Sequence, residues 1–162
     1  MQRAAEWVAN YMQSIGLTNV QIMPTSLHPV VFGELLAAGP SAPTVLIYGH
    51  YDVQPAEPLE LWHTPAFEPS VRGEHIYARG VTDMKGQITA TLHAVEAILR
   101  TGDLPVNVKF LIEGEEEIGS PSLVAFMQSH KELLACDLAL YPDTGTLAPD
   151  LPTVTYALRG LA

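Results

Sequence analysis

Three short apolar runs in this chain each stop at residues able to bind a metal. Thr44–Val45–Leu46–Ile47–Tyr48 leads through Gly49 into His50–Tyr51–Asp52, and Val106–Ile112 leads into Glu113–Gly114–Glu115–Glu116–Glu117. Leu138–Tyr141 leads through Pro142 into Asp143. Continuous apolar runs of this length read as buried strands. Between them lie stretches with helical spacing: Ile88, Leu92, Val95 and Leu99 share one face of a helix expected over Met84–Arg100, and another helix is expected over Leu123–Leu134. Strands alternating with helices predict an α/β three-layer sandwich with a mixed, mostly parallel sheet flanked by helices. In open α/β sheets ligands bind outside the carboxyl ends of the strands, so the three polar clusters are expected to converge.

The rest of the chain fits around that frame. Trp7, Val8, Tyr11, Met12 and Ile15 recur at spacings of three and four, an amphipathic helix ending near Gly16. Val20–Met23 and Val30–Leu36 read as short extended segments, and His75–Ala78 as another. Pro55, Pro58, Pro65 and Pro69 make Asp52–Pro69 a long irregular loop, a class of segment that is usually functional. A last strand is expected to begin at Val154–Leu158. An abrupt helical start and a strand without a partner element suggest part of a larger protein.

Charge narrows the function. Eight Lys and Arg against 18 Asp and Glu leave a formal charge of −10 over 162 residues. That balance argues against a nucleic-acid partner, which needs clustered cations, and against a basic membrane-binding face. Hydrophobic residues at 48% are enough for a core. The N-terminus lacks the apolar core of a signal peptide, and no apolar run approaches the roughly 20 residues of a spanning helix, so a cytoplasmic location is expected. Cys136, the one cysteine, excludes an internal disulfide and a cysteine-cluster zinc site; its apolar neighbours suggest a packing role.

Taken singly, each polar residue has a plain structural reading. His50 can be a hydrogen-bonded histidine at a strand end, Asp83 a helix cap, Glu113–Glu117 a solvated turn, and Asp143 part of an ordinary turn. Taken together they point to a metal. Imidazole plus carboxylates without thiolate suits zinc, and less specifically manganese or cobalt. Carboxylates at this density repel one another unless a cation lies among them or some are protonated. A carboxylate can bridge two ions roughly 3.5–4 Å apart, and that points to an activated water more than to a covalent nucleophile. The phosphate-binding G-x-x-x-x-G-K-[ST], the H-E-x-x-H helix and the G-x-S-x-G elbow are all absent. His28, His63, His75 and His130 show no usable spacing.

The ordered motifs resemble those of a known family. Gly49–His50–Tyr51–Asp52–Val53–Gln54–Pro55, Arg79–Gly80–Val81–Thr82–Asp83–Met84–Lys85–Gly86 and Glu113–Gly114–Glu115–Glu116–Glu117–Ile118–Gly119–Ser120, with Asp143, closely resemble the di-zinc metallopeptidases. That family includes carnosinase, aminoacylase, acetylornithine deacetylase and glutamate carboxypeptidase, and the cytosolic dipeptidase branch is the most similar. The resemblance implies that Asp83 bridges two zinc ions, that His50 and Asp143 complete one metal's protein ligands, and that Glu117 binds the other. It implies Glu116 as general base towards the attacking water and Asp52 as the group orienting His50. Glu116 and Glu117, as neighbours in an extended segment, are expected to point in different directions. A cis peptide at Asp83–Met84 is also implied.

Two departures qualify the resemblance. The family's final histidine ligand lies far downstream and has no match here, and a lid domain that supplies dimer contacts and substrate groups is missing. Residues 1–153 therefore read as the N-terminal part of the catalytic domain, and 154–162 as the start of the connection to the lid. The expected function is a zinc dipeptidase acting on short peptides, homodimeric as the parent protein, with the isolated chain a poor hydrolase. An N-acyl-amino-acid amidohydrolase and a non-catalytic metal-binding domain are the alternatives.

Overall fold

A computed structural model of the protein describes residues 1–157 and 160. In chain order the elements are α1 (Gln2–Ser14), β1 (Thr18–Met23), β2 (Val30–Leu35), β3 (Thr44–His50), β4 (Ser70–Arg72), β5 (His75–Tyr77), α2 (Gly86–Thr101), β6 (Asn107–Glu113), α3 (Leu123–Ser129) and β7 (Leu138–Leu140). Five strands form one sheet in the order β1-β2-β6-β3-β7, while β4 and β5 make a separate hairpin. β6, β3 and β7 run parallel; β1 and β2 join β6 through antiparallel pairings. The sheet is thus mixed, with a parallel core. No described helix is long and apolar enough to cross a membrane.

Period-two alternation divides the core between the two faces of the sheet. Val31, Ile47, Val108, Phe110 and Ile112 pack with Val8, Met12, Ile88, Leu92 and Val95 from α1 and α2. Val30, Phe32, Leu46 and Leu111 pack on the other side with Phe126 of α3 and Leu134. β6, central and wholly buried, serves both cores. Its pairing with β3 sets His50 opposite Glu113, so these two strands end level, and β7 runs alongside in the same direction. Their carboxyl ends deliver His50, the 115–117 segment and Asp143 to one edge of the sheet.

Several expectations change. α2 begins at Gly86, because Asp83 and Met84 both have non-helical dihedrals; the peptide between them is cis. α3 stops at Ser129: the Ser129 hydroxyl donates to the carbonyls of Ala125 and Phe126, and the His130 ring stacks on Phe126. β7 is an exposed edge strand, since only β3 pairs with it among the described residues and nothing there covers its faces. Cys136 is exposed in the turn before β7, so it has no packing role. Val154–Ala157 form no strand, and no strand pairs with them among the described residues; Leu158, the end of that expected strand, lies outside the described residues. Trp7 lies at the margin of α1's buried stripe, half exposed and stacked on Tyr11.

Candidate metal centre

His50 is wholly buried at the end of β3. Its Nδ1 faces Asp52 Oδ1 and the Asp52 carbonyl, each at 3.2 Å. Two acceptors on that side hold a ring proton on Nδ1 and turn Nε2 towards the facing acids. Asp83 Oδ1 lies 3.0 Å from Nε2, Asp143 Oδ2 3.5 Å and Glu116 Oε2 3.9 Å. The facing atoms of His50, Asp83 and Asp143 all fall within 4.8 Å of one another.

Each residue arrives by a different local device. Asp83 lies in the turn Val81–Lys85, entered through Gly80 at φ +80°, where a Cβ would also run into Val53. It caps no helix: its carboxylate reaches His50 instead of the α2 amides. Asp143 follows β7 across Pro142. Glu116 and Glu117 lie in a single 3-10 turn, Glu116–Ile118, and not in an extended segment. The turn parts their side chains. Glu116 faces His50, whereas Glu117 accepts from Gln54 through the backbone N (3.1 Å) and Nε2 (2.6 Å). Glu117 therefore lies outside the His50–Asp83–Asp143 cluster. Asp52 links the two parts, since its Oδ2 accepts the Glu117 amide at 2.9 Å.

The electrostatics call for a cation. Burial pulls the His50 imidazole down, but the Asp52 hydrogen bond and the charges of Asp52, Glu116 and Asp143 outweigh it and lift the group to about 9. Burial also raises the Glu116 carboxyl, and the charges of Glu117, Asp143 and Asp52 add to that against the opposing His50. Lys85 is lowered by burial despite the surrounding Asp52, Asp83 and Glu117. Three carboxylate oxygens around one ring nitrogen repel each other unless a positive charge joins them, and a nitrogen–oxygen donor set of this kind suits a divalent transition ion. The residues present fit a metal. A groove of about 620 Å³, lined by Asp83, Gly86, Gln87 and Asp143–Thr146, opens beside the cluster and gives a ligand room to approach.

The Glu113–Glu117 run is not a solvated turn: Glu113 and Glu115 are both buried. Glu113 accepts from Tyr48 Oη and from Ser120 Oγ (2.8 Å), and Tyr48 stacks on Tyr141, two residues before Asp143. The alternation of β6, continued past its end, carried the missed signal, because Leu111, Glu113 and Glu115 are two apart and belong to one face. Gln54, the partner of Glu117, comes from an irregular loop and left no pattern to read.

Residues 46–152 match the model of peptidase family M20/M25/M40. The chain belongs to that family. Among its M20 relatives, the cysteinylglycine-S-conjugate dipeptidase of Corynebacterium striatum is 31% identical over 98% of this chain and 35% of its own length. The Beta-Ala-His dipeptidase of Homo sapiens is 38% identical over 82% of this chain and 26% of its own. Among solved structures, the M20 family metallo-carboxypeptidase Sso-CP2 from Sulfolobus solfataricus superposes with a TM-score of 0.84 at 35% identity, covering 90% of this chain and 33% of that one. Human carnosine dipeptidase 1 follows at a TM-score of 0.77, 35% identity, and 88% and 32% coverage. This M20 chain thus spans about a third of the length of the relatives it matches.

Proposed function

We propose that this chain is the metal-binding portion of a zinc dipeptidase, a hydrolase that cleaves the amide bond of dipeptides or short peptides with a metal-activated water. The convergence of His50 Nε2, Asp83 Oδ1 and Asp143 Oδ2, with the Glu116 carboxylate beside them, carries this reading. The dipeptidase names of the relatives favour peptides over acyl-amino acids as substrates. His50, Asp83 and Asp143 would hold one ion, and Asp83 with Glu117 a second. A bound divalent ion supplies a Lewis acid that polarises the scissile carbonyl and lowers the pKa of water towards about 7.

The chain's own residues do the rest. Asp52 keeps a His50 proton on Nδ1, so a metal ion would have only the Nε2 proton to displace. Glu116, its carboxyl raised by burial, is a stronger base than an exposed glutamate and takes the proton of the attacking water. Residues 1–153 form part of the catalytic domain, and 154–162 lead towards a lid and dimer segment. Without those parts the isolated chain binds metal and turns over substrate poorly.

Zinc titration calorimetry together with peptide hydrolysis tests the reading. His50→Ala and Asp143→Asn are each expected to weaken zinc by at least about tenfold. Glu116→Gln is expected to keep zinc within about threefold and, in the full-length protein, to lower dipeptide turnover by about 10²–10⁴-fold. Undiminished turnover in Glu116→Gln would remove it as the base. Zinc affinity unchanged by His50→Ala would remove the centre.

A further inference from the structure

Of the four glutamates at the end of β6, Glu113 and Glu115 are the two that the proposed chemistry does not use, and Glu115 is the more completely buried. Its side chain is 1% exposed. A carboxylate in that position has to be fully hydrogen-bonded, and this one is. Oε1 accepts from the His28 amide (2.8 Å), Thr25 Oγ1 (2.9 Å) and Ser122 Oγ (3.1 Å), while Oε2 accepts from the Ser122 amide (3.0 Å). Its backbone carbonyl accepts from Ser120 N (2.8 Å) and Ile118 N (3.2 Å). Burial by itself would raise the Glu115 carboxyl, but the donors from His28, Ser122 and Thr25 hold it below the ordinary glutamate value.

These partners come from two pieces of chain far apart in sequence, which also meet through the Ser26 and Ser122 hydroxyls at 2.7 Å. Thr25 and His28 belong to the β1–β2 connection, and Ser122 immediately precedes α3. Glu115 is the residue before the 3-10 turn that carries Glu116 and Glu117, so its carboxylate bolts the start of that turn to both pieces. The other side of the same junction is equally tight: Tyr51 Oη donates to the Pro29 carbonyl at 2.6 Å, and a Cβ on Gly114 would overlap the Tyr51 ring. The turn therefore has one way to leave β6. In that setting the Glu117 amide meets Asp52 Oδ2 and the Glu116 carboxylate faces His50.

We infer that Glu115 is a positioning residue: its buried carboxylate sets the Glu116–Glu117 turn in register with Asp52 and His50. This rests on the reading of Glu116 and Glu117 as site residues. It adds a role that is not ligand, base or partner of His50. A neutral side chain of the same size cannot replace it, because each oxygen faces a backbone N–H, that of His28 on Oε1 and that of Ser122 on Oε2, so the NH2 of a Gln would meet a donor in either orientation.

Glu115→Gln in the 162-residue chain tests the inference, with circular dichroism to verify folding. The readouts are amide exchange at Glu117, followed by NMR, and zinc affinity by calorimetry. The expected result is a folded variant whose Glu117 amide exchanges at least about tenfold faster while β6 amides are unchanged, with zinc about tenfold weaker. Wild-type exchange at Glu117 together with wild-type zinc affinity would overturn it. Glu117→Gln is the control: if it leaves zinc binding intact, the ligand reading of Glu117 falls, and the exchange result alone then decides the positioning role. Should Glu115→Gln fail to fold, Thr25→Val removes one donor and leaves the carboxylate in place. About threefold faster exchange at Glu117 supports the inference, and no change overturns it.

Discussion

Asp52 makes two demands on its surroundings at once. One carboxylate oxygen orients the His50 ring, and the other takes the Glu117 amide. Burial raises the Asp52 carboxyl, but the His50 hydrogen bond and the Glu117 amide outweigh it and hold the group below the usual aspartate range. Asp52→Asn keeps the size and weakens both links, so zinc affinity measured by calorimetry at fixed pH is expected to fall about 10–100-fold with the fold retained. At this scale the sequence was most legible where a residue type has few structural uses at a strand end. His50 and Asp143 were named from their places after apolar runs and Asp83 from its place just ahead of a helix, and the structure brings the facing atoms of the three within 4.8 Å of one another. Glu117 was harder, because the turn that diverts it towards Gln54 depends on hydrogen bonds from segments distant in sequence.

Elements show the same division between local and tertiary causes. α1 was readable to its end because Gly16, at φ +96°, terminates it by a local rule. The start of α2 was misread because Met84 suits the apolar stripe; it is buried instead ahead of the helix, where its Sδ accepts the His50 amide at 3.3 Å. α3 was read too long because Leu133 and Leu134 continue its spacing, though a turn carries them to the same core. Lys109 Nζ, donating to the carbonyls of Leu133 and Ala135, pins that turn from the sheet. The helices α1 and α2 are tied by Tyr11 Oη donating to Glu96 at 2.6 Å, with Arg100 on the other Glu96 oxygen. The Tyr11 hydrogen bond, and Arg100 with it, hold the Glu96 carboxyl below its ordinary 4.5 against the opposing effect of burial. A carboxyl lowered by folding adds stability above its unfolded pKa and loses it as pH falls through the folded one. Tyr11→Phe is therefore expected to lower the melting temperature at pH 7, and the difference from wild type should shrink as melts are taken to pH values well below 4.5.

Across the whole molecule, five of the 18 acids, Asp52, Asp83, Glu116, Glu117 and Asp143, belong to one edge of the sheet. That edge was foreseeable from strand order alone, since three parallel strands with polar endings have only one place to meet. The separate β4–β5 hairpin was only half seen, because three-residue strands carry almost no periodicity. Gathering like charges costs stability that a divalent ion returns, so zinc is expected to raise the melting temperature of the chain and a chelator to reverse the rise. Binding at 100 times Kd corresponds to about 2.7 kcal/mol, and scanning calorimetry with and without zinc measures it. The open flank of β7 gives the same charge a second meaning. With Leu138 and Leu140 exposed and only β3 alongside among the described residues, its outer edge is a template on which another chain can add a strand. Asp137 and Asp143 bracket that flank, and with a net −10 behind them, charge repulsion opposes edge-to-edge docking of two copies. Salt shortens the reach of that repulsion to about 8 Å at physiological strength, and metal loading removes part of its source. Metal bound among the acids of the site would thus weaken the repulsion that opposes such docking.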